Sequence, residues 1–500
     1  MAGQSGDPIS EARIRTPGDG SDLRADGDYV LYWMIANRRV DWNFSMQRAV
    51  QWARDLKKPL VVFEALRCGY RWASDRLHRF VIQGMRDNQR RLDRSGVLYY
   101  PYIEPRDGDG RGLLNQLARR ACVVISDDFP SFFLPRMIAS ASRQIPVRFE
   151  LIDSNGILPL RAADRVFARA VDFRRFLQKH LRPHLDAFPD PEPLKGRRFP
   201  ALSELPADVI RRWPPAKLQE LLDKPSALAA LPIDHSVTPS AIEGGSRQAQ
   251  IVLRTFLDQR LARYSQERNE PDVEAASGLS PYLHFGHISA HQVFAAVMDH
   301  DGWSPDRIST KANGSREGWW GAGADVESFL DELITWRELG YNMCWQRDDY
   351  DRYESLPDWA RKTLADHQDD PRSYLYTLEQ FEAAETHDPL WNAAQRQLVR
   401  EGRIHNYLRM LWGKKVLEWS PDPREALATL IELNNKYALD GRDPNSYSGI
   451  FWVLGRYDRA WGPERPIFGK IRYMSSENTA RKLSVKNYLA RYGNTLDDEV

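Results

Sequence analysis

From Tyr29 to Asp153 the chain alternates short apolar runs with segments of helical period. The runs are YVLYWMI (29–35), PLVVFEAL (59–66), GVLYYPYI (96–103), CVVISD (122–127) and VRFELID (147–153). Between them lie stretches such as NFSMQRAVQWARDL (43–56) and DRLHRFVIQGMRDNQRRLDRSG (75–96). Strand and helix alternating in this way predict a doubly wound α/β domain, a parallel sheet with helices on both faces. No GxGxxG follows the first run, so the Rossmann dinucleotide fingerprint is absent. A ligand at the strand ends and a purely structural role both stay open for this domain.

The pattern changes twice further on. Residues 184–245 are rich in proline, as in RWPPAKLQELLDKPSALAALP, and predict an interdomain linker with one short helix. From 246 to about 490 the periodicity is helical, as in SRQAQIVLRTFLDQRLARYSQ, DVESFLDELITWRELGYNMCW and DPLWNAAQRQLVREGRIHNYLRMLWGKKVLEWS. The Gly/Ser-rich segment 299–325 reads as a long loop, and residues 1–24, polar with Gly and Pro, as a disordered tail. The expected organisation is therefore a tail (1–24), an α/β domain (25–183), a linker (184–245) and an all-α domain (246–495). One stretch, LDGRDPNSYSGIFWVLGRYDRAW (439–461), shows neither period. It reads as a surface loop or as the wall of a site.

Composition narrows the function classes. Five hundred residues with 42% hydrophobic and 28% charged content suit a globular protein of two or three domains, and a net charge of +1 excludes a uniformly basic nucleic-acid binder. Charge is nevertheless segregated. Arg396, Arg400, Arg403, Arg409, Lys414 and Lys415 stand against Glu401 alone in 396–415, and Arg465, Lys470, Arg472, Arg481, Lys482 and Lys486 against Glu477 in 465–486. Cations among aromatic residues suit a nucleic-acid surface, and equally a solvated helix face. Cys68, Cys122 and Cys344 have no metal or disulfide spacing, which argues against a zinc or iron–sulfur site and fits a reducing, intracellular compartment. No apolar segment reads as a membrane span.

Sixteen tryptophans, 11 of them beyond residue 300, raise the question of chemistry. Trp412 and Trp419, seven apart, share one side of a helix about 10 Å apart along its axis, and Trp391 opens the helix before. They read as core or as an electron relay. Glu332 and Trp336 are i,i+4 neighbours, fit either to hold a flat ligand or to anchor a core. Ser277, Gly278 and Ser280 precede a helix start, where phosphate binding and plain capping are both served.

Together these segments resemble the photolyase/cryptochrome flavoproteins, and among them the class II cyclobutane pyrimidine dimer photolyases. The resemblance runs over nearly the whole chain and is carried by GLSPYLHFGHIS, THDPLWNA, RMLWGKKVLEWS, LDGRDPNSYSGIFW, DRAWG and GKIRYMS. It implies a Rossmann-like antenna domain followed by a helical FAD domain, and a light-driven reaction: excited reduced FAD passes an electron to a pyrimidine dimer flipped out of UV-damaged DNA, splitting it into two pyrimidines. By position it implies Tyr264, Ser277, Gly278, Leu279 and Ser280 at the FAD phosphates. Arg409, Asp440 and Gly441 would lie beside the flavin, with Asn434 facing its N5. Glu332 and Met410 would meet the dimer, and Trp336, Trp452 and Asn406 would line the lesion pocket. Arg268, Asn269, Trp461 and Arg472 would lie toward DNA. Trp412, Trp391, Trp419 and Tyr376 would form the photoreduction chain, their order beyond Trp412 left open. A monomer is implied, with an antenna chromophore (deazaflavin, folate, another flavin or none) left open. A cryptochrome-like receptor without repair activity, and repair of (6-4) photoproducts, in which His405 would take part, remain alternatives. Asn406, Asn435, a GRYDRAW turn one residue short and the 299–325 segment depart from the class II pattern.

Overall fold

The computed structural model describes residues 9–18 and 22–494. The chain divides into two compact units. The first takes the chain to Ala163, then Leu181–Arg254 and Leu279–Gly302; the second takes Asp164–His180, Thr255–Gly278 and the chain from Trp303.

In the first unit all five apolar runs are strands. With a short sixth, they form one sheet of β1 (Ile14–Arg15), β2 (Tyr29–Met34), β3 (Leu60–Leu66), β4 (Leu98–Ile103), β5 (Ala121–Asp127) and β6 (Phe149–Ile152), in the order β1-β6-β5-β2-β3-β4. All neighbours are parallel except β1, which runs antiparallel to β6. Every residue of β2 and β5 is buried, as expected of central strands covered on both faces. The chain turns back between β2 and β5, the point where such sheets usually hold a ligand. Here the carboxylate of Asp127 fills that point. It accepts the backbone N–H groups of Ile35, Ala36 and Asn37 (2.8–3.0 Å) and the hydroxyls of Tyr32 (2.8 Å) and Ser45 (2.7 Å). Three consecutive amides that could cradle a phosphate are taken by the protein's own anion.

Two sequence boundaries move. The expected tail of residues 1–24 is ordered over 9–18: Ile9 is buried, and the buried Arg13 guanidinium donates to the carbonyls of Gly156 (3.1 Å) and Ile157 (2.7 Å). A buried cation with its donors satisfied holds this polar segment without an apolar run. Residues 1–8 and 19–21 lie outside the described residues. The proline-rich stretch 184–245 is likewise part of the first unit rather than a free linker. Leu218, Leu222, Leu228 and Leu231 pack with Val81, Ile82 and Met85 of the helix Asp75–Leu92, each burial stabilising by roughly 1.5–3 kcal/mol.

The second unit is helical, and the helix Ala170–His180, expected in the α/β domain, belongs to it. Arg174 on that helix grips Asp331 through two nitrogens (2.7 and 3.0 Å), and Gln178 accepts the Gly314 N–H. Three central helices start with one device. Asp388, Asp422 and Asp443 cap Pro389–Glu401, Pro423–Tyr437 and Pro444–Val453 with side-chain oxygens, and the proline that follows has the missing N–H and fixed φ suited to the first helical turn. The third corrects the reading of 439–461 as irregular. Pro444–Val453 is a helix, and most of its residues are buried, so no apolar stripe marks it. The helix expected through Glu332 and Trp336 is also interrupted: Asp331–Trp336 wind as a π-helix between α-helices Ala324–Leu330 and Arg337–Gln346. Such wide turns are frequent at functional sites.

Candidate functional site

The helix Asn406–Trp419 runs through the middle of the second unit, packed against Pro389–Glu401, Pro423–Tyr437 and Pro444–Val453. Gly413 permits the last of these contacts, since a Cβ there would lie 2.4 Å from Val453 Cγ2. Arg409 on this helix meets Asp440 in a half-buried, two-nitrogen ion pair (2.9 and 3.3 Å). Next to Asp440, Gly441 lies so close to Asn434 that a Cβ would come within 2.8 Å of its backbone carbonyl.

Asn434 is buried, and its orientation is forced. Asn435 Oδ1 accepts the Arg442 N–H (2.9 Å), so the atom that Asn434 turns toward it (3.1 Å) must be Nδ2, which also donates to Ser446 Oγ (2.8 Å). Among the described residues no donor reaches Asn434 Oδ1. Asn435, the departure from the class II pattern, completes the network by donating to Tyr447 OH (3.1 Å).

A second cluster joins residues assigned to different tasks. Glu332, on the π-helix, is ion-paired to Arg268, whose guanidinium also lies 5.5 Å from the ring centre of buried Tyr264. Burial raises the Tyr264 phenol well above its ordinary value, and the Glu332 carboxylate adds to the shift. Asn269, Trp336 and Met410 are half-buried, and no hydrogen bond, ion pair or ring contact among the described residues ties them to these groups. Asn406 is exposed in the first turn of its helix. Ser277 and Gly278 (φ +71°) end one segment of the second unit, whereas Leu279 and Ser280 open a segment of the first.

The tryptophans separate into two groups. Trp412 stacks on Trp391 with centroids 6.4 Å apart and planes within 7°; Trp391 lies 6.0 Å from Trp419, and Trp419 lies 5.7 Å from Tyr376. These rings run without a gap from three buried indoles to a half-buried phenol. The other group alternates with cations. Lys414 Nζ sits 4.6 Å from the Trp452 ring and donates to the Val453 carbonyl (2.6 Å). Arg472 lies 5.6 Å from Trp452 and 4.0 Å from Trp461, with Arg459 4.4 Å from Trp461. Asp458 holds Arg472 through two nitrogens (2.9 and 3.1 Å) and accepts Trp461 Nε1–H (3.2 Å). Burial pushes the Lys414 ammonium down to about 7.

Much of the charge that sequence alone sets apart as basic clusters is matched internally. Arg403 pairs with Glu274 and Glu401, Lys415 with Glu418, and Lys470 with Glu464. The 299–325 loop is irregular as expected, but it is pinned by buried Trp303, Trp319 and Trp320, with Trp303 Nε1 donating to the Trp320 carbonyl (2.6 Å). The short GRYDRAW turn is bolted by buried Arg456, which donates to the Tyr350 carbonyl (2.9 Å).

Comparison with known proteins decides the family. The chain is 34% identical to a deoxyribodipyrimidine photo-lyase of Methanothermobacter thermautotrophicus, over 98% of this chain and all of that one. The chain belongs to the deoxyribodipyrimidine photo-lyase family. Relatives of the same name from Oryza sativa (34% identity, 96% of this chain, 90% of the relative) and Potorous tridactylus (31%, 96% and 84%) extend the likeness. A class III photolyase from Agrobacterium tumefaciens shares the fold, with a TM-score of 0.67 at 16% identity over 93% of this chain and 86% of that one. No family model matches.

Sequence reasoning missed the contacts of several residues that shape this photolyase-family site. Lys414, Asp458 and Arg459 build the cation–aromatic group, and Asn435 and Ser446 orient Asn434. Lys414 stood out only as a member of a basic cluster and Asn435 only as a departure from the class II pattern; their partners come from distant segments. Among the described residues no helix is long and apolar enough to cross a membrane.

Proposed function

We propose that the chain is a light-driven DNA repair enzyme that reverses cyclobutane pyrimidine dimers, holding FAD in its second unit. The observation that carries the cofactor reading is Asn434: a buried residue whose amide is locked in orientation and whose Oδ1 meets no donor among the described residues, beside the Arg409–Asp440 pair and on the packing neighbour of the helix that bears Trp412. Those residues fit a flavin. With FAD bound, Asn434 Oδ1 would be the acceptor for a ring N–H, and an amide would bring no acidic proton to it. Tyr264, Ser277 and Gly278, with Leu279 and Ser280 next in the chain, are assigned to the phosphates.

When bound in this site, reduced FAD would supply the light-driven one-electron chemistry that opens the dimer, with no net redox change. The chain's own residues prepare the substrate. The dimer must leave the duplex to approach a buried site, and a damaged step is cheaper to unstack. Trp336 and Trp452 flank the extruded bases, and Met410 and Asn406 complete the pocket. Glu332 serves the base edge. A DNA phosphate that draws off the Arg268 guanidinium frees the Glu332 side chain for that contact. Arg268, Asn269, Arg472 and Trp461 hold the strand, and binding weakens steeply with salt. Tyr376, Trp419, Trp391 and Trp412 carry electrons inward in that order to keep the cofactor reduced. The protein acts as a monomer with access to DNA inside the cell.

Repair of (6-4) lesions is the weaker reading. Burial pushes His405 down to about 4, so its imidazole is neutral and offers no acid at neutral pH. Illuminating photoreduced protein with oligonucleotides carrying either lesion, and quantifying each product, tests the assignment. Restored cyclobutane dimers with untouched (6-4) lesions are expected. If the cofactor reduces normally and neither lesion is reversed, the receptor reading replaces this one.

A further inference from the structure

The ring chain ends on a group that electron transfer alone does not account for. The hydroxyl of Tyr376 lies 2.8 Å from Nδ1 of His387 and accepts the His387 backbone N–H at 3.0 Å. A phenol oxygen can accept from the backbone and donate its own proton to Nδ1 at the same time, an arrangement that takes His387 as the Nε2–H tautomer with Nδ1 as the acceptor. Tyr374 covers the imidazole, with centroids 3.6 Å apart and planes within 16°, and is itself 47% exposed. The His387 ring also lies 4.9 Å from Trp419. Three polar rings stacked at an exposed end do not fill a core.

We propose that His387 is the proton acceptor that lets Tyr376 act as terminal electron donor, with Tyr374 as the positioning residue that fixes the imidazole plane. This rests on reading Trp412, Trp391 and Trp419 as an electron chain. In the step, the oxidised indole of Trp419 takes one electron from Tyr376 while the phenolic proton passes to His387 Nδ1. The products are a closed-shell indole, a neutral tyrosyl radical and an imidazolium. One positive charge has moved from Trp419 to His387, and no other species is consumed. Electron loss without the proton would leave a phenol radical cation, a very strong acid, so an acceptor within hydrogen-bond reach removes the costly intermediate. Recovery uses a solution thiolate: it gives Tyr376 an electron and becomes a thiyl radical, while His387 returns the proton.

The test follows the tyrosyl radical by electron paramagnetic resonance, and its rise by transient absorption, in the full chain loaded with FAD, in H₂O and in D₂O. In the native protein the radical forms, its rise is slower in D₂O, and Tyr376→Phe removes it. His387→Phe should keep Trp419 oxidation but lower the tyrosyl yield by about a hundredfold, the low end of what a placed proton acceptor contributes. Imidazole added to His387→Ala should restore the signal, which a merely structural role would not allow. Tyrosyl formation at the native rate in His387→Phe overturns the proposal, as does failure of the imidazole rescue while Trp419 is still oxidised. Trp412→Phe separates the underlying reading: a tyrosyl radical still formed on illumination shows that the indoles are not its route, and both readings then fall.

Discussion

Two sets of tryptophans lie in the second unit and are treated in opposite ways. Trp412, Trp391 and Trp419 are buried and touch one another ring to ring. Among the described residues one cation lies over these rings, Lys415 at 5.3 Å from Trp419, and it is paired with Glu418 at 2.7 Å. Trp452 and Trp461 are half-buried, do not pair with each other, and sit among Lys414, Arg472 and Arg459. A cation over an indole face is attracted to its π electrons and makes removing one of them harder. Identical side chains are thus set apart by their neighbours: the first set is suited to lose an electron and the second to resist loss, and on the function proposed above the second set is the one that meets DNA.

The contrast can be broken by substitution. The largest effect is expected for Trp412→Phe, which should reduce flavin photoreduction to background while protein reduced chemically repairs dimers near the native rate. Loss of both would remove the division of labour. Glu332→Ala should do the reverse, lowering repair yield by about 10–100-fold, as for one lost hydrogen bond to a charged group, and leaving photoreduction intact. A repair assay paired with a photoreduction time course reads both. Arg472→Ala should cost about 1–3 kcal/mol of DNA affinity and reduce the slope of binding against salt by about 1, measured by titration at several ionic strengths. An unchanged slope would detach Trp452 and Trp461 from DNA.

The smallest effect concerns Lys414. It holds its proton less tightly in the fold, where burial brings it to about 7, than in the unfolded chain. Between about 7 and the ordinary lysine value the unfolded state therefore binds more protons, and native stability gains with rising pH; below about 7 both states are protonated and the slope vanishes. Lys414→Met should lack this gain and be more stable than the native protein at pH 6, as melting curves across pH 6–10 would show. Equal pH dependence in the two proteins would mean that Lys414 stays charged in the fold.

How much was legible differs between the units. The five strands were visible because buried parallel strands are continuous apolar runs. Pro444–Val453 was not, although Asp443–Pro444 announces a helix start, because a helix buried on most sides shows no period. Arg13 joined the fold through hydrogen bonds to distant carbonyls, which no local pattern encodes. In the candidate site, the family resemblance pointed to Asn434, Arg409, Asp440 and the ring chain. The pairing of Arg268 with Glu332 and the cations on Trp452 come from segments far apart in sequence.

By itself, then, the sequence determined the secondary elements that announce themselves locally, the α/β-then-helical order, and the motifs that mark the family. The tertiary structure decided what those residues do to one another. It set which oxygen of Asn434 is left without a donor, which indoles touch, which are shielded by cations, and that a histidine waits on the Tyr376 hydroxyl. Periodicity and motifs are properties of neighbours along the chain, whereas hydrogen-bond satisfaction, ring stacking and burial depend on groups brought together from distant segments, and only the folded chain specifies those.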